Sequence, residues 1–486
     1  MRLFFMNSGH TRMRLVQAGA VVAAVALIAG CGNTYRAVVT PVNTNGPAAQ
    51  PGSFTVVVSA PSPTTAGIAT IIDYSGDSVL AEAPIGPGPT AFTIDATGSN
   101  GYTVNSDGTL SNFPISNALQ ANKVSYSTLA TTSAPYPPVN MFSPSAGLWT
   151  ADLTGNSGDF FTGIPEAFKL AIPVAATPVT IIGPGTIGQR NYVISQGNVS
   201  SGVACNISPT TGPVGVATAI ETGTLTVSAS IPLGKCPVFG VQSSDYRRFF
   251  VMNRGDDTIT VINSQNNTVD SCIPFVNQSG QTVTCHPSLP VSPAPGLLHA
   301  GPVYAEYNAA TSQLIVANYD GNSISVIDVS MDEYGNDSAT FGTTFTIPVG
   351  NNPASVTVLA DGSRAYTANQ TDGTVTIVDL SSHTAEKAPL PVIGHPRTVV
   401  STQNSSYGKV YVASPDSPYL TIIRTDLDIV DTTVLVEGNI VDVRVTTQNG
   451  SSGNSNTVSR VPGYGEPCYL PGAAAQSTLL ACQTLP

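Results

Sequence analysis

A short strand-like run closed by a small polar residue, then a turn, then a run of alternating β-branched residues, recurs along this 486-residue chain. The clearest copies are Phe249–Asn253 followed by Thr258–Asn263, Leu314–Asn318 by Ser323–Asp328, Ala365–Asn369 by Thr374–Asp379, and Val410–Ser414 by Tyr419–Ile423. Weaker copies close at Ser59, Asn105, Asp152 and Ser195. A second signature keeps the same rhythm: Ile347-Pro348-Val349-Gly350-Asn351-Asn352-Pro353 has counterparts at Ile85–Pro89, Ile172–Pro178, Ile231–Pro237 and Val392–Pro396. Each is an extended run, a Gly/Pro turn and the opening of a new strand, where proline interrupts no central ladder bond.

A period of about 45 residues holding four short strands is one propeller blade. Alternation of Ser/Thr with Ile/Val suits a pleated strand sandwiched between neighbouring sheets. The landmarks predict an all-β chain, a single β-propeller of about eight four-stranded blades over residues 54–447, with seven as the alternative. Residues 54–84 supply only three strands, Phe54–Ser59, Ile68–Asp73 and Ser78–Pro84, and Ile440–Val445 lacks following strands. Together they predict a composite blade that closes the ring.

Tyr102-Thr103-Val104-Asn105, Ala365-Tyr366-Thr367-Ala368-Asn369 and the clauses around Thr374–Asp379 and Ile347–Pro353 resemble the YVTN-repeat β-propeller family. The likeness is strong between residues 247 and 425 and looser before that. The resemblance implies a propeller that is often seven-bladed, related in repeat style to seven-bladed lactonases.

Residues 1–30 read as a targeting segment: Arg2, Arg12 and Arg14 precede an apolar run, Leu15–Gly30, too short to span hydrocarbon comfortably. Leu27-Ile28-Ala29-Gly30-Cys31 resembles the bacterial lipobox, which implies cleavage before Cys31 and its acylation. Residues 31–53 are Pro/Gly/Asn/Thr-rich and read as a flexible tether between the lipid bilayer and the folded body. The expected address is the bacterial cell envelope, with the outer membrane favoured because Gly32 follows the cysteine. Six further cysteines suit an oxidising compartment; nearest-neighbour pairing gives Cys205–Cys236, Cys272–Cys285 and Cys468–Cys482, the last within a tail, 448–486.

Lys+Arg number 18 against 30 Asp+Glu, a net charge of −12, which leaves no basic footprint for nucleic acid. On a propeller, the loops between second and third strands share a rim with the blade-to-blade connections. Extra length at Gln196–Pro213 and Ser271–Ala300 falls on that rim by this reading, and Met331–Thr340 on the other. Long loops on a rigid scaffold carry binding. The expected ligand rim therefore comprises Lys235, Arg254, His299, Asp320, Asn352, Asp372, His395 and Glu437. No CxxCH, zinc spacing or GxSxG elbow is present, and no cofactor is expected. The function expected is a monomeric, envelope-anchored scaffold binding a protein, peptide or polymer. A lactonase-like hydrolase in the channel (His299, His395, Arg254, Glu437) and a metal-binding or redox propeller are the alternatives.

Overall fold

In a computed structural model the structure describes residues 54–446, apart from 96, 130–139, 144–146, 154, 164–165, 184–189, 198–213, 277–279, 281 and 403–407. Among the described residues the only helix is a single 3-10 turn, Ala121–Lys123. Eight antiparallel sheets, each of at least four strands, follow one another along the chain. The sixth is typical: Pro302–Asn308, Gln313–Asn318, Ser323–Asp328 and Thr344–Pro348 run as a meander from the innermost to the outermost strand. The innermost strands of successive blades touch each other around a closed cycle: Asn439–Val445, Pro89–Ile94, Asn140–Phe142, Pro178–Ile182, Pro237–Gln242, Pro302–Asn308, Pro353–Val358 and Thr398–Ser401. The fold is an eight-bladed propeller.

Closure follows the expected composite blade. Asn439–Val445 pairs antiparallel with Phe54–Ala60, so the last described strand is the innermost strand of the first blade. The Phe54 amide donates to Thr446 Oγ1 at 2.8 Å and Ser59 Oγ donates to the Glu437 carbonyl at 2.7 Å. A Cβ on Gly438, whose φ is +82°, would meet the Ala60 carbonyl carbon at 2.4 Å, so the turn into the closing strand requires glycine. From the eighth blade, Lys409 Nζ reaches the Tyr74 carbonyl and Asp77 in the first, each at 2.7 Å.

The repeat signature is a set of contacts between blades. The landmark Asn369 is buried, and its Nδ2 donates to Thr374 Oγ1 at 3.0 Å and Thr376 Oγ1 at 2.8 Å. Asn105, Asn253 and Asn318 do the same to the hydroxyl pairs Thr109 and Ser111, Thr258 and Thr260, and Ser323 and Ser325. The second hydroxyl of three of these pairs also accepts the backbone N–H of a glycine leaving the preceding blade: Gly86 to Ser111, Gly234 to Thr260 and Gly350 to Thr376. Those glycines lie against the landmark asparagine, and a Cβ on Gly350 would sit 2.6 Å from Asn369 Nδ2. The recurring Asn, Thr/Ser and Gly are thus one interlocking unit.

The core lies between blades, where sheet faces meet. An aromatic belt on the second strands, including Tyr102, Trp149, Tyr192, Phe250, Tyr366 and Tyr411, packs these interfaces. Within this belt Tyr366 Oη donates to Asp428, and burial beside that carboxylate pushes its pKa up.

Candidate functional site

Strand direction sorts the loops. Second strands end, and first strands begin, on one rim, here the mouth rim; second strands begin on the opposite rim. The eight expected rim residues all fall in mouth-rim turns or connections, and the structure gives most of them a scaffold partner. Asp372 accepts the Asn351 amide at 2.6 Å and Asn351 Nδ2 at 2.8 Å. Asp416 accepts the His395 amide at 2.8 Å and faces His395 Nδ1 at 2.5 Å. The Lys235 amide donates to Asp256 at 2.8 Å. One device therefore repeats: a turn carboxylate holds the connection entering its own blade. Asn352 sits at φ +54° just before Pro353; its amide donates to Asn322 Oδ1 at 2.9 Å and its Nδ2 to the Tyr319 carbonyl at 3.1 Å. Glu437 is exposed beside the closing strand.

Arg254 is 2% exposed and reaches from the fifth blade to the sixth, where Nε and Nη2 each meet Asp320 at 2.8 Å. The bidentate pair lies with its guanidinium carbon 5.1 Å from the centre of the Tyr319 ring. Tyr319 Oη then donates to Gln370 Oε1 of the seventh blade at 3.0 Å. A polar chain thus links three consecutive blades under the mouth rim. His299 Nδ1 lies 3.2 Å from Asp257, whose other oxygen accepts the Ala300 and Gly301 amides. His299 and His395 stand on different connections, each against its own aspartate. Beside His299, Leu297 and Leu298 are exposed, Leu298 at 89%.

Two placements differ from the sequence reading. Ser271–Ala300 does not form a single blade-to-blade connection. Thr268–Val269 and Ser288–Pro290 both pair with Thr258–Asn263, so the fifth blade's outer strand is split and the excursion between the halves leaves its edge. Only 291–301 crosses to the next blade. Cys272–Cys285 staples the base of this excursion with Cα atoms 5.5 Å apart, as nearest-neighbour pairing predicts. Cys236 is also disulfide-bonded. Cys31, Cys205, Cys468 and Cys482, with the leader, tether and tail, lie outside the described residues.

The second difference is a cluster that sequence reasoning missed. The excursion and the Met331–Thr340 insertion meet on the opposite rim. Arg248, 2% exposed, places Nη2 3.0 Å from Asp337 and 3.4 Å from Asp270, both buried. His286 Nδ1 lies 2.8 Å from the same Asp337, and its ring stacks on Phe341. Burial raises the pKa of Asp270 against the pull of Arg248, and the Asp337 charge adds to the rise. Related clamps recur: Arg190 with Glu221 and the Ser264 carbonyl, and Arg364 with Asp428 and the Thr425 carbonyl. The available signal was a basic residue five positions before the landmark, at Arg190, Arg248, Arg364 and Lys409.

Among the described residues no group of three or more His, Cys, Asp or Glu is placed to hold a metal ion, and no helix is long and apolar enough to cross a membrane. No family model matches the chain, and no curated protein matches it. Among solved structures it is similar to apo AztD from Citrobacter koseri, at 13% identity and a TM-score of 0.53 over 81% of this chain and 97% of that one. It is also similar to the dihydro-heme d1 dehydrogenase NirN in complex with DHE, at 14% identity and a TM-score of 0.54 over 82% of this chain and 76% of that one. At these identities the likeness shows the fold alone.

Proposed function

We propose that the protein is a lipid-anchored propeller of the bacterial cell envelope, acylated at Cys31, that binds a protein, peptide or polymer on its mouth rim. One observation carries the binding role. Asp256, Asp257, Asp320, Asp372 and Asp416 are all turned onto neighbouring loops, while Leu297 and Leu298 stand exposed on the connection 291–301. A rim whose turn aspartates are spent on rigidity and which sets apolar side chains outward suits recognition by surface contact.

The test is chemical cross-linking in intact envelopes, comparing the wild type with Leu298→Asp. The reading expects a reproducible partner for the wild type and at least a tenfold loss of its recovery in the variant. A partner pattern unchanged by Leu298→Asp contradicts it.

A hydrolase at the channel mouth is the second reading, favoured by one feature: Asp257 orients His299 through Nδ1, as a general base needs. Turnover of a lactone and ester panel that His299→Asn abolishes would replace the binding reading with this one.

A further inference from the structure

The opposite rim carries an apolar patch that the binding reading does not use. Ile273 is 87% and Val276 66% exposed, and Phe275 is exposed beside them. They lie in the excursion whose base Cys272–Cys285 closes. No Asp, Glu, Lys or Arg occurs between Asp270 and Glu306. The base is held to the opposite rim by His286 against Asp337 and by the Arg248 cluster. The same insertion that supplies Asp337 exposes Tyr334. Three exposed apolar side chains on an uncharged, covalently closed excursion, with an exposed tyrosine on the neighbouring insertion, have the composition of a surface that enters a membrane interface.

The path of the chain points to the same partner. Phe54 opens a second strand, so the described chain begins on this opposite rim. Phe54 belongs to the first blade and the patch to the fifth, half a turn away around eight blades. We propose that the opposite rim lies flat on a lipid bilayer, held by the acylated tether at the first blade and by Ile273, Phe275 and Val276 at the fifth. The mouth rim then faces away, open to its partner. The half-buried Asp332 and the exposed Glu333 beside Tyr334 make the fitting surface zwitterionic rather than anionic. This rests on the lipid-anchored reading and adds an orientation to it.

The test uses full-length acylated protein on phosphatidylcholine vesicles. Trp149 is buried and is the only native tryptophan, so an introduced tryptophan reports its own site. Val276→Trp is compared with Leu298→Trp on the mouth rim, using lipid brominated along its acyl chains as quencher. The proposal expects several-fold stronger quenching of Val276→Trp. Equal quenching at both sites, or none at Val276→Trp in protein that floats with vesicles, overturns it. Flotation of wild type against Cys31→Ser reads the anchor separately. If neither floats, the anchored reading fails; the excursion is then judged by whether Val276→Trp is quenched at high vesicle concentration, and absence of quenching there also overturns the proposal.

Discussion

The two rims of the wheel are braced by different chemistry. On the mouth rim, short polar side chains hold nearby backbone amides and hydroxyls, as Asp372 holds the Asn351 amide and Asn369 the hydroxyls of Thr374 and Thr376. On the opposite rim, a long basic side chain from one blade reaches acids or carbonyls of another, as Arg248 reaches Asp337 and Arg364 reaches Asp428. The first device is local and repeats with the period. The second uses long side chains and ion pairs, several of them buried. Apart from the buried Arg254–Asp320 pair, mouth-rim bracing should therefore fail in small increments, and opposite-rim bracing in large ones.

The largest expected effect is at Arg248. Arg248→Met leaves the buried Asp270 and Asp337 without their cation and should cost about 3–5 kcal/mol in chemical denaturation. A loss below about 1 kcal/mol would erase the contrast between rims. Next comes Asn369→Ala, which strands two hydroxyls and should cost about 1–3 kcal/mol. Gly350→Ala forces a Cβ onto the Asn369 amide and should cost a similar amount, about 1–3 kcal/mol. Combined with Asn369→Ser it should cost clearly less than the sum of the two single changes; strict additivity would mean that glycine and asparagine are not one unit. Asp372→Ala on the exposed turn should cost under about 1 kcal/mol.

The smallest effect is the pH slope. Burial raises the pKa of Asp270 and of Glu386, which faces Arg364 on the same rim. A carboxyl raised in the folded state binds its proton more tightly there than in the unfolded chain. Its contribution is therefore fully present below the ordinary value, 3.8 for Asp270 and 4.5 for Glu386, and is lost as pH rises through the folded value. Denaturation midpoints measured upward from that range should show this downward component, and Asp270→Asn should flatten it. An unchanged slope in Asp270→Asn would remove the cluster from the account.

The contrast between rims also explains what could be read from the residues alone. Asn369 and its two threonines lie within one hairpin, so their spacing repeats visibly, and the blade count followed from it. Ring closure was legible because three strands at one end and one at the other make a single sheet. Arg248 belongs to a periodic set of basic residues, but it meets Asp337 only after two blades pack, so no local pattern announces the pair. The excursion from Ser271 was misplaced for a related reason: the halves of the split strand, Thr268–Val269 and Ser288–Pro290, are too short to show alternation. The mouth-rim residues were chosen by loop type, and spacing could not tell that Arg254 would be buried against Asp320 rather than offered to a ligand.

Everything rests on the last described strand completing the first sheet. Val57 and Val443 are directly paired there, from opposite ends of the chain. With both changed to cysteine in otherwise intact protein and mild oxidant added, the account predicts an intrachain link between them, read by peptide mass after proteolysis. Absence of that link, or its appearance only between separate chains, would contradict the closed eight-bladed ring.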